Sequence, residues 1–371
     1  MAASSRSALS LPAWDTSRIW GRHLVFVAKF LCSATAAVRP SGAQQLAEKL
    51  RAQKQEQKAK EREVPRDPVQ RRVQELKRYT QQLQNVHPNV LSKALKRGIL
   101  YQDNNLVVIN KPYGLPVHGG PGVKSCITDI LPILAKMLYG HKAEPLHLCH
   151  RLDKETTGVM VLARDKGMAH RVQDFFKTRQ VAKKYWAICV GVPVHSAGMI
   201  DIPIIEKEVQ GQQQHHKMTL APNYRMENGK TMKVRPNRHA HVAVTQYRVL
   251  SSTLSCALLE LQPFTGVKHQ LRVHLAFGLG CPVLGDHKYS DWNKLAPQKL
   301  SVGILKRLGL EKAKTRYLPL HLHAQQLILP PLGSESQELN LFCKLPKFFV
   351  RSLSHLRLEI PEKDDKSEDQ Y

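Results

Sequence analysis

The chain has 371 residues, of which 42% are hydrophobic, so it can bury a substantial core in one large domain or two ordinary ones. This composition excludes wholesale disorder. The formal net charge of +26, from 56 Lys and Arg against 30 Asp and Glu, favours a polyanionic partner such as RNA or DNA. Charge alone does not separate that partner from the surface of a membrane.

The seven cysteines are scattered and form no C-x-x-C pair. An odd number in a chain of this length indicates neither a disulfide framework nor a zinc site. We predict that the cysteines are small core residues in a reducing compartment. The pairs His215-His216 and His321-x-His323 lack a second pair of ligands at a recognised spacing, so the sequence predicts no metal site.

Residues 1–40 are basic, rich in Ser and Ala, and contain one acidic residue. On a helix, Arg18, Arg22 and Lys29 lie opposite an apolar face that includes Trp20 and Leu24. This amphipathic pattern predicts a mitochondrial presequence and a place in the mitochondrial matrix, with room for a minor nuclear or cytoplasmic pool. A membrane span over 24–38 is the competing interpretation, but the run is short and Lys29 interrupts it. We therefore expect no integral membrane association.

Residues 41–97 form a basic stretch, in which Pro65 and Pro68 divide positions 41–85 into two predicted helices. We interpret it as a solvated helical extension, with an RNA-gripping arm as the alternative.

Short apolar runs separated by turns begin near residue 98 and predict a domain over 98–358. Strands are predicted at 106–110, 158–163, 184–192 and 258–262. Asp165 can cap the helix that follows it, and 269–277 predicts a short helix closed by Gly278. Residues 206–240 are a basic, polar excursion, and 359–371 form an acidic tail predicted to be disordered. The irregular mixture of strands and helices indicates an α+β fold.

The segment 150–158, with the sequence H-R-L-D-K-E-T-T-G, is a polar loop in front of a buried strand. It delivers Arg151 and Asp153 to the edge of that strand, and loops supported by rigid strands often carry catalytic groups. From the residues alone, two other interpretations stay open: a surface ion pair, or an aspartate that caps a turn.

This loop resembles the H-R-L-D-x-x-T-[ST]-G loop of the RluA-type RNA pseudouridine synthases. Five further segments resemble motifs of that family in the same order along the chain. They are N-K-P-x-G-L-P-V-H at 110–118, K-Y-x-A at 184–187, T-G-x-x-H-Q-L-R-V-H at 265–274, G-x-P-V-x-G-D-x-x-Y at 280–289 and L-H-L-H-A at 320–324. With six motifs in register over residues 100–331, the chain is identified as a member of this family.

The resemblance implies a pseudouridine synthase fold, with a long, mostly antiparallel mixed sheet, flanking helices and a central cleft. It also implies isomerisation of uridine, in which the C–N glycosidic bond breaks and the base is rejoined through C5. Nothing is oxidised or hydrolysed, so the reaction requires neither a redox cofactor nor a metal. It requires a carboxylate beside the sugar, either as a nucleophile or as a base that removes a ribose proton, and both routes stay open.

The family pattern assigns the catalytic carboxylate to Asp153 and its guanidinium partner to Arg272, which would lower the carboxylate's pKa and orient it. Tyr185 would pack against the target base and help to remove the C5 proton. A half-buried strand tyrosine explains Tyr185 almost as well.

Uridine inside folded RNA must be flipped into the pocket, and Arg151 is expected to fill the vacated stack or hold phosphates. The motifs imply a set of RNA-binding residues: Arg151, His150, Lys111, His118 and Lys268. The expected partners are mitochondrial ribosomal, transfer or messenger RNA and intermediates of ribosome assembly. The basic excursion at 217–238 either extends the RNA-binding surface or is a solvated hairpin.

The chain departs from the family at Val267 and Lys268, where Arg and Thr are usual. The alternative function is therefore a catalytically idle RNA-binding or ribosome-assembly factor on the same fold. Because Asp153, Tyr185 and Arg272 are all present, we expect an active enzyme.

Overall fold

The computed structural model describes residue 46 and residues 48–53, 67–80, 83–209, 215–227, 230–333 and 337–361. The predicted presequence and positions 362–371 of the predicted tail lie outside these ranges. The chain divides between residues 64 and 65. In the first part, residues 46 and 48–53 are helical and exposed. No helix in the described ranges is both long and apolar enough to cross a membrane.

Fourteen strands are present in the described part of residues 65–371. In chain order they are β1 (Ile99–Gln102), β2 (Leu106–Lys111), β3 (His147–Leu148), β4 (Thr157–Ala163), β5 (Ala182–Val190), β6 (Ala197–Asp201), β7 (Ile204–Val209), β8 (His215–Leu220), β9 (Tyr224–Glu227), β10 (Lys230–Lys233), β11 (Val244–Ser252), β12 (Cys256–Pro263), β13 (Leu322–Leu329) and β14 (Leu339–Phe342).

Seven α-helices accompany these strands in the same ranges. They are α1 (Pro68–Tyr79), α2 (Pro88–Arg97), α3 (Ile127–Tyr139), α4 (Lys166–Lys177), α5 (Gln270–Val273), α6 (Val302–Leu308) and α7 (Lys347–Leu356). The helix α5 continues as a π-helical turn over His274–Gly278, and 3₁₀ turns cover Leu83–Asn85 and Lys312–Tyr317. Asp165 caps α4 by accepting a hydrogen bond from the Met168 amide, as predicted.

Ten strands form one mixed sheet, in the order β1-β2-β4-β13-β5-β12-β11-β6, with β3 beside β4 and β14 beside β13. Only the pairing of β4 with β13 is parallel among these described pairs. The mostly antiparallel mixed sheet with flanking helices confirms the predicted α+β fold. The four predicted strands correspond to β2, β4, β5 and β12, and the predicted short helix to α5 with its π turn.

Strands β2 and β4 are apolar over 106–109 and 158–163 because helices cover both faces of the sheet. Successive side chains alternate between the two cores. Val107 and Met160 face the core beneath α2 and α3, whereas Val108 and Val161 face the core beneath α4. A continuous apolar run therefore predicts a doubly covered strand here.

The parallel contact between β4 and β13 requires glycine at position 158. Gly158 has φ +117°, and a Cβ at this position would lie 2.1 Å from the carbonyl oxygen of Ala324. Beside it, the Thr157 hydroxyl is 2.8 Å from Nδ1 of His323, whose Nε2 is 3.3 Å from the Cys343 carbonyl oxygen. This close approach fixes the start of β4, which is also the end of the Asp153 loop.

The prediction of a solvated extension over 41–97 is corrected for residues 68–97. Helices α1 and α2 form, but their apolar faces are buried: Leu76 is fully buried beside Phe348 and Phe349, and Leu91 and Leu95 join the core of α3. Hydrophobic burial therefore makes them part of the same body as the sheet, and the boundary lies near residue 65 rather than at residue 98.

The polar excursion at 206–240 contains two antiparallel hairpins, β7–β8 and β9–β10. The first is packed against the body of the protein, because the fully buried Lys217 donates hydrogen bonds to the carbonyl oxygens of Asp291, Trp292 and Lys294. The six described cysteines are buried free thiols, in agreement with the prediction of core residues.

Replacing Leu76 by alanine tests the corrected boundary. Because the side chain is fully buried, Leu76→Ala should lower the free energy of unfolding by about 2–5 kcal/mol in urea denaturation. The matched control is Leu50→Ala, at a position 56% exposed, which should change that free energy by no more than about 0.5 kcal/mol. Equal effects of the two substitutions would contradict the placement of α1 in the core.

Candidate active site

The loop that carries Asp153 connects β3 to β4 and is anchored by Lys111 at the end of β2. Lys111 is fully buried, and its ammonium donates to the carbonyl oxygens of Pro112, Lys154 and Thr156 at 3.1, 3.0 and 2.9 Å. Burial lowers the pKa of Lys111 to about 7. The Lys111 ammonium therefore holds the main chain of the Asp153 turn in place through these three carbonyl oxygens.

His150 fastens the other end of the loop. Its Nε2 accepts a hydrogen bond of 2.9 Å from the Val161 amide, and its ring stacks on Phe176 with 4.6 Å between centroids. Burial lowers the pKa of His150 to about 3, so the ring is neutral at physiological pH. His150 therefore has a structural role, in which it secures the loop to β4.

Arg272, on α5, is buried in a bidentate pair with Asp286. Its Nε and one terminal nitrogen lie 2.7 and 2.8 Å from the two carboxylate oxygens, and its other terminal nitrogen lies 3.5 Å from Glu155. Burial alone would raise the pKa of Asp286, but the Arg272 charge and hydrogen bonds hold it below its usual value. Asp286 therefore takes the direct hydrogen bonds of Arg272, while Arg272 acts on Asp153 as a nearby charge that lowers its pKa.

Asp153 lies at the top of the anchored turn, with 19% of its side chain exposed. Burial raises the pKa of its carboxyl, and Glu155 acts in the same direction. The charges of Arg272, Arg151 and Lys111 oppose the rise. The surrounding cations therefore limit the rise in the pKa of Asp153, without a direct ion pair to any of them within 4 Å among the described residues.

Tyr185, on β5, is the third predicted catalytic residue and faces the same cleft. Burial raises the pKa of its phenol, and the Asp153 charge raises it further. The hydroxyl is therefore protonated at physiological pH.

Two cavities of about 730 and 850 Å³ meet at a shared wall. The residues common to both are Arg151, Leu152, Asp153, His269 and Arg272. The first cavity extends past His118, Lys288 and Arg316. The second extends past Tyr185 and a basic group consisting of Lys177, Arg179, Lys183 and Lys268. Asp153, Tyr185 and Arg272, which are distant in sequence, thus line one basic cleft.

The five predicted RNA-binding residues divide into two groups. Arg151, His118 and Lys268 are exposed and line the cavities. Lys111 is corrected to a structural role, because it has no exposed surface. The Nε2 of His150 is engaged by the backbone, but the residue also lines the second cavity, so its contact with RNA stays a prediction. Membership of a matched motif does not distinguish a buried anchor from a side chain that binds the ligand.

The departure at 267–268 connects the active-site turn to the β7–β8 hairpin. Val267 packs against the apolar cluster that contains Ile204 and Met218, and the Lys268 ammonium lies 2.9 Å from the Glu206 carboxylate. Both charges are about half exposed, so this pair contributes at most about 1 kcal/mol.

Four residues in the cleft or buried behind it received no role from the sequence: His269, Asp286, Tyr289 and Lys183. The first three stand inside the matched motifs at 265–274 and 280–289, and that membership was the signal that could have found them. Lys183 precedes the K-Y-x-A motif, and burial lowers its pKa to about 8.

Comparisons with a family model, with curated proteins and with solved structures all match the chain to RNA pseudouridylate synthases. A model of the family described as RNA pseudouridylate synthase matches residues 105–277. The human protein "Pseudouridylate synthase RPUSD4, mitochondrial" is 70% identical over 364 residues, covering 96% of this chain and 97% of the human one. The mouse "Mitochondrial mRNA pseudouridine synthase Rpusd3" is 30% identical over 74% of this chain and 82% of its own. The solved structure "Human RNA Pseudouridylate Synthase Domain Containing 4" is 72% identical, with a TM-score of 0.68, over 74% of this chain and 98% of that one.

Two methionine variants distinguish an anchoring role of Lys111 from a role in RNA binding. Lys111→Met should speed hydrogen exchange at the Gly114 and Thr156 amides of the anchored turn by roughly tenfold, because three carbonyls lose a charged donor. It should leave the salt dependence of RNA affinity unchanged. Lys268→Met, at the exposed position, should reduce the slope of that dependence by roughly 0.7–0.9 for each phosphate that the ammonium no longer neutralises. A reduced slope for Lys111→Met would contradict its structural role.

Proposed function

Because the chain belongs to the RNA pseudouridylate synthase family, we propose that Asp153 is the carboxylate with which it isomerises uridine in mitochondrial ribosomal or transfer RNA. RNA pseudouridine synthesis in mitochondria is the activity of this chain, and uridine in RNA is its substrate. The residues that perform the reaction and the particular RNAs are the proposal.

The position of Asp153 at the wall shared by the two cavities carries the proposal. Arg151 stands exposed beside it, and the carboxylate remains accessible at the surface of the cleft. A ribose at the shared wall would meet an oxygen nucleophile or base that needs no prior release from an ion pair. A surface ion pair or a simple turn cap would not require this position between two cavities.

The chemistry follows from the charges around Asp153. Either route, attack on the sugar or removal of a ribose proton, requires the ionised carboxylate, which Arg272, Arg151 and Lys111 favour electrostatically. We assign the flipped base to the Tyr185 side of the wall, where the phenol packs against it. Because the pKa of Tyr185 is raised, its neutral hydroxyl is a poor base, so removal of the C5 proton belongs to another group or to water.

The substrate RNA follows the basic lining of both cavities. Arg151 fills the space left by the flipped uridine or holds its phosphate, while Lys183, Arg179 and Lys268 on one side and Arg316 on the other meet the flanking backbone. Ribosomal and transfer RNA present structured loops that a cleft of this kind reads by shape. The mouse relative is named for mitochondrial mRNA, which adds messenger RNA as a candidate. Modification of ribosomal RNA would support assembly of the mitochondrial ribosome and translation.

Asp153→Asn tests the catalytic assignment. Pseudouridine formation on mitochondrial RNA should fall by at least about 10²–10⁴-fold, because an amide is neither a nucleophile nor a base, while the dissociation constant for RNA stays within about threefold. The matched control is Asp174→Asn on the exposed face of α4, which should retain full activity. Pseudouridine mapped across mitochondrial RNA measures both. Activity that survives in Asp153→Asn would reject Asp153, and unchanged pseudouridine in cells lacking the protein would favour the idle RNA-binding factor.

The presequence is also proposed, from the amphipathic basic pattern of residues 1–40. Deletion of residues 1–40 should prevent uptake of the chain by isolated, energised mitochondria, because the basic helical face is removed. Deletion of residues 362–371, at the other terminus, serves as the control and should leave import intact. Protease-protected uptake of the chain that lacks residues 1–40 would refute the targeting assignment.

A further inference from the structure

We propose that His269 is a positioning residue for Asp153: a neutral imidazole whose Nε2–H is directed at the carboxylate by a hydrogen bond that Tyr289 donates to Nδ1. This inference rests on the proposed catalytic role of Asp153 and adds to it the group that orients the carboxylate. The motif at 265–274 includes His269, but nothing in the sequence assigned it a function.

The geometry selects the tautomer of His269. The backbone N–H of Met218 points at the Tyr289 hydroxyl at 3.3 Å, so that oxygen acts as an acceptor from this side. The same hydroxyl lies 2.5 Å from Nδ1 of His269. The hydroxyl has one proton, and directing it to Nδ1 lets the oxygen keep a lone pair for Met218. Among the hydrogen bonds of the described residues, Nδ1 is the one acceptor within reach of the hydroxyl proton, so we assign the ring proton to Nε2.

Nε2 of His269 faces Asp153, at 3.9 Å from Oδ1. This distance is too long for a hydrogen bond in the empty cleft. A side-chain shift of about 1 Å closes it, and catalytic hydrogen bonds often tighten only when the substrate is bound. Because a ribose at the shared wall would enclose Asp153 from the open side, the shift toward His269 is the direction that remains open to the carboxylate.

The backbone holds the imidazole in this orientation. His269 has φ +56°, one of the few non-glycine positions with positive φ in the described ranges, and directly precedes α5. A left-handed conformation at a residue with a side chain costs of order 1 kcal/mol or more and persists where the surroundings impose it. Its carbonyl accepts the Val273 amide at 3.0 Å, so the ring is fixed at the start of the helix that carries Arg272.

The groups around His269 keep the imidazole uncharged. Burial lowers its pKa to about 2, and the neighbouring charges of Arg272, Lys288 and Lys268 act in the same direction, whereas Asp286 opposes them. Tyr289 and Asp153 complete its surroundings, and burial raises the pKa of the Tyr289 phenol, which therefore keeps its proton. A neutral N–H donor can orient the Asp153 carboxylate and favour its ionised form without forming a salt bridge that would hold both oxygens.

Tyr289 also connects His269 to the β7–β8 hairpin, because its hydroxyl accepts the backbone N–H of Met218, which belongs to β8. The ring of Tyr289 lies 5.1 Å from the guanidinium carbon of Arg272, and the phenyl ring of Phe277 meets it edge-on. Removing only the hydroxyl therefore leaves the ring contacts in place and releases the imidazole tautomer.

Two amide variants separate the donor to Asp153 from the rest of the side chain. In His269→Gln, the terminal NH₂ reaches the position of Nε2 and can still donate to Asp153. In His269→Asn, the shorter amide reaches only the position of Nδ1 and can accept from Tyr289, but no donor meets Asp153. Asparagine tolerates the left-handed backbone well, so a fall in activity in this variant is not a folding defect.

The first measurement is kcat for pseudouridine formation by the full chain on transcribed mitochondrial RNA, as a function of pH, because the pH dependence of kcat reports the groups in the RNA complex, where this hydrogen bond forms. The fall in rate at low pH, which is the acid limb of the profile, follows protonation of Asp153. The Nε2–H donor stabilises the ionised carboxylate, so its removal raises the pKa of Asp153 and moves the acid limb to higher pH. We expect a shift of about one pH unit and a fall in kcat of about tenfold in His269→Asn, since one hydrogen bond to a charged group changes an ionisation equilibrium by roughly tenfold or more. His269→Gln should restore both to near wild type, and Tyr289→Phe should fall between them.

The second measurement does not depend on activity. In protein labelled with ¹⁵N-histidine, the resonances that disappear in His269→Asn identify the ring, and their shifts report which nitrogen carries the proton. We expect a protonated Nε2 and a bare Nδ1 in the wild type, and a mixture of tautomers in Tyr289→Phe. A protonated Nδ1 in the wild type, or an acid limb in His269→Asn equal to that of the wild type, overturns the inference. Activity that survives in Asp153→Asn would instead reject the proposed function, so the two failures are distinct.

Discussion

The cleft depends on the buried ion pair between Arg272 and Asp286. The two side chains are 6% and 0% exposed, and removing two charges from water costs several kcal/mol per ion unless their hydrogen bonds are satisfied. Here they are: the guanidinium forms two parallel bonds, and the Asp286 carboxylate also accepts the backbone amides of Lys288 and Tyr289 at 3.0 and 2.9 Å. The pair ties α5 to the turn at 286–289. It thereby fixes a permanent positive charge behind Asp153, at a position set by the fold.

The loop that carries Asp153 is supported by a different kind of interaction. A single ammonium, on Lys111, adds to the backbone hydrogen bonds of the turn at 153–156, and Gly158 lets β13 approach the first residues of β4. Both features act on main-chain atoms, so they determine where the loop lies without contributing a side chain to the cleft. The exposed residue of the loop, Arg151, is therefore presented from a rigid base, which is the arrangement that reduces the entropic cost of binding a flipped nucleotide.

Much of the fold could be predicted from the sequence because it depends on local patterns. The apolar run at 158–163 and the cap at Asp165 predicted β4 and α4, and the order of six motifs predicted that Asp153, Tyr185 and Arg272 line one cleft. The burial of α1 and α2 was missed because their few apolar residues, such as Leu76 and Leu91, are diluted by charged ones. An amphipathic helix pattern shows which face of the helix is apolar. It does not show whether another part of the chain packs against that face.

The polar residues show a second limit of sequence-based prediction. Lys111 differs from Lys268 in what it contacts and not in chemical type, and contacts across 43 or 45 positions in the chain are invisible to a local pattern. The direct pairing of Arg272 with Asp286 was not predicted, for the same reason. The motif assigns a guanidinium to the site, whereas the 14 positions that separate Arg272 from Asp286 contain the turns that decide which carboxylate it meets.

The choice of Asp286 over Asp153 as the partner of Arg272 has a consequence for reactivity. A carboxylate held in a bidentate pair has its oxygens occupied and its negative charge largely neutralised, so it is a weaker nucleophile and base. Asp153 instead meets Arg272 as a nearby charge, and burial raises its pKa while that charge opposes the rise. The Arg272 charge thereby limits the rise in the Asp153 pKa, while the carboxylate oxygens remain open to the ribose. Asp286 takes the direct hydrogen bonds of Arg272. Arg272 can therefore support Asp153 electrostatically without binding its oxygens.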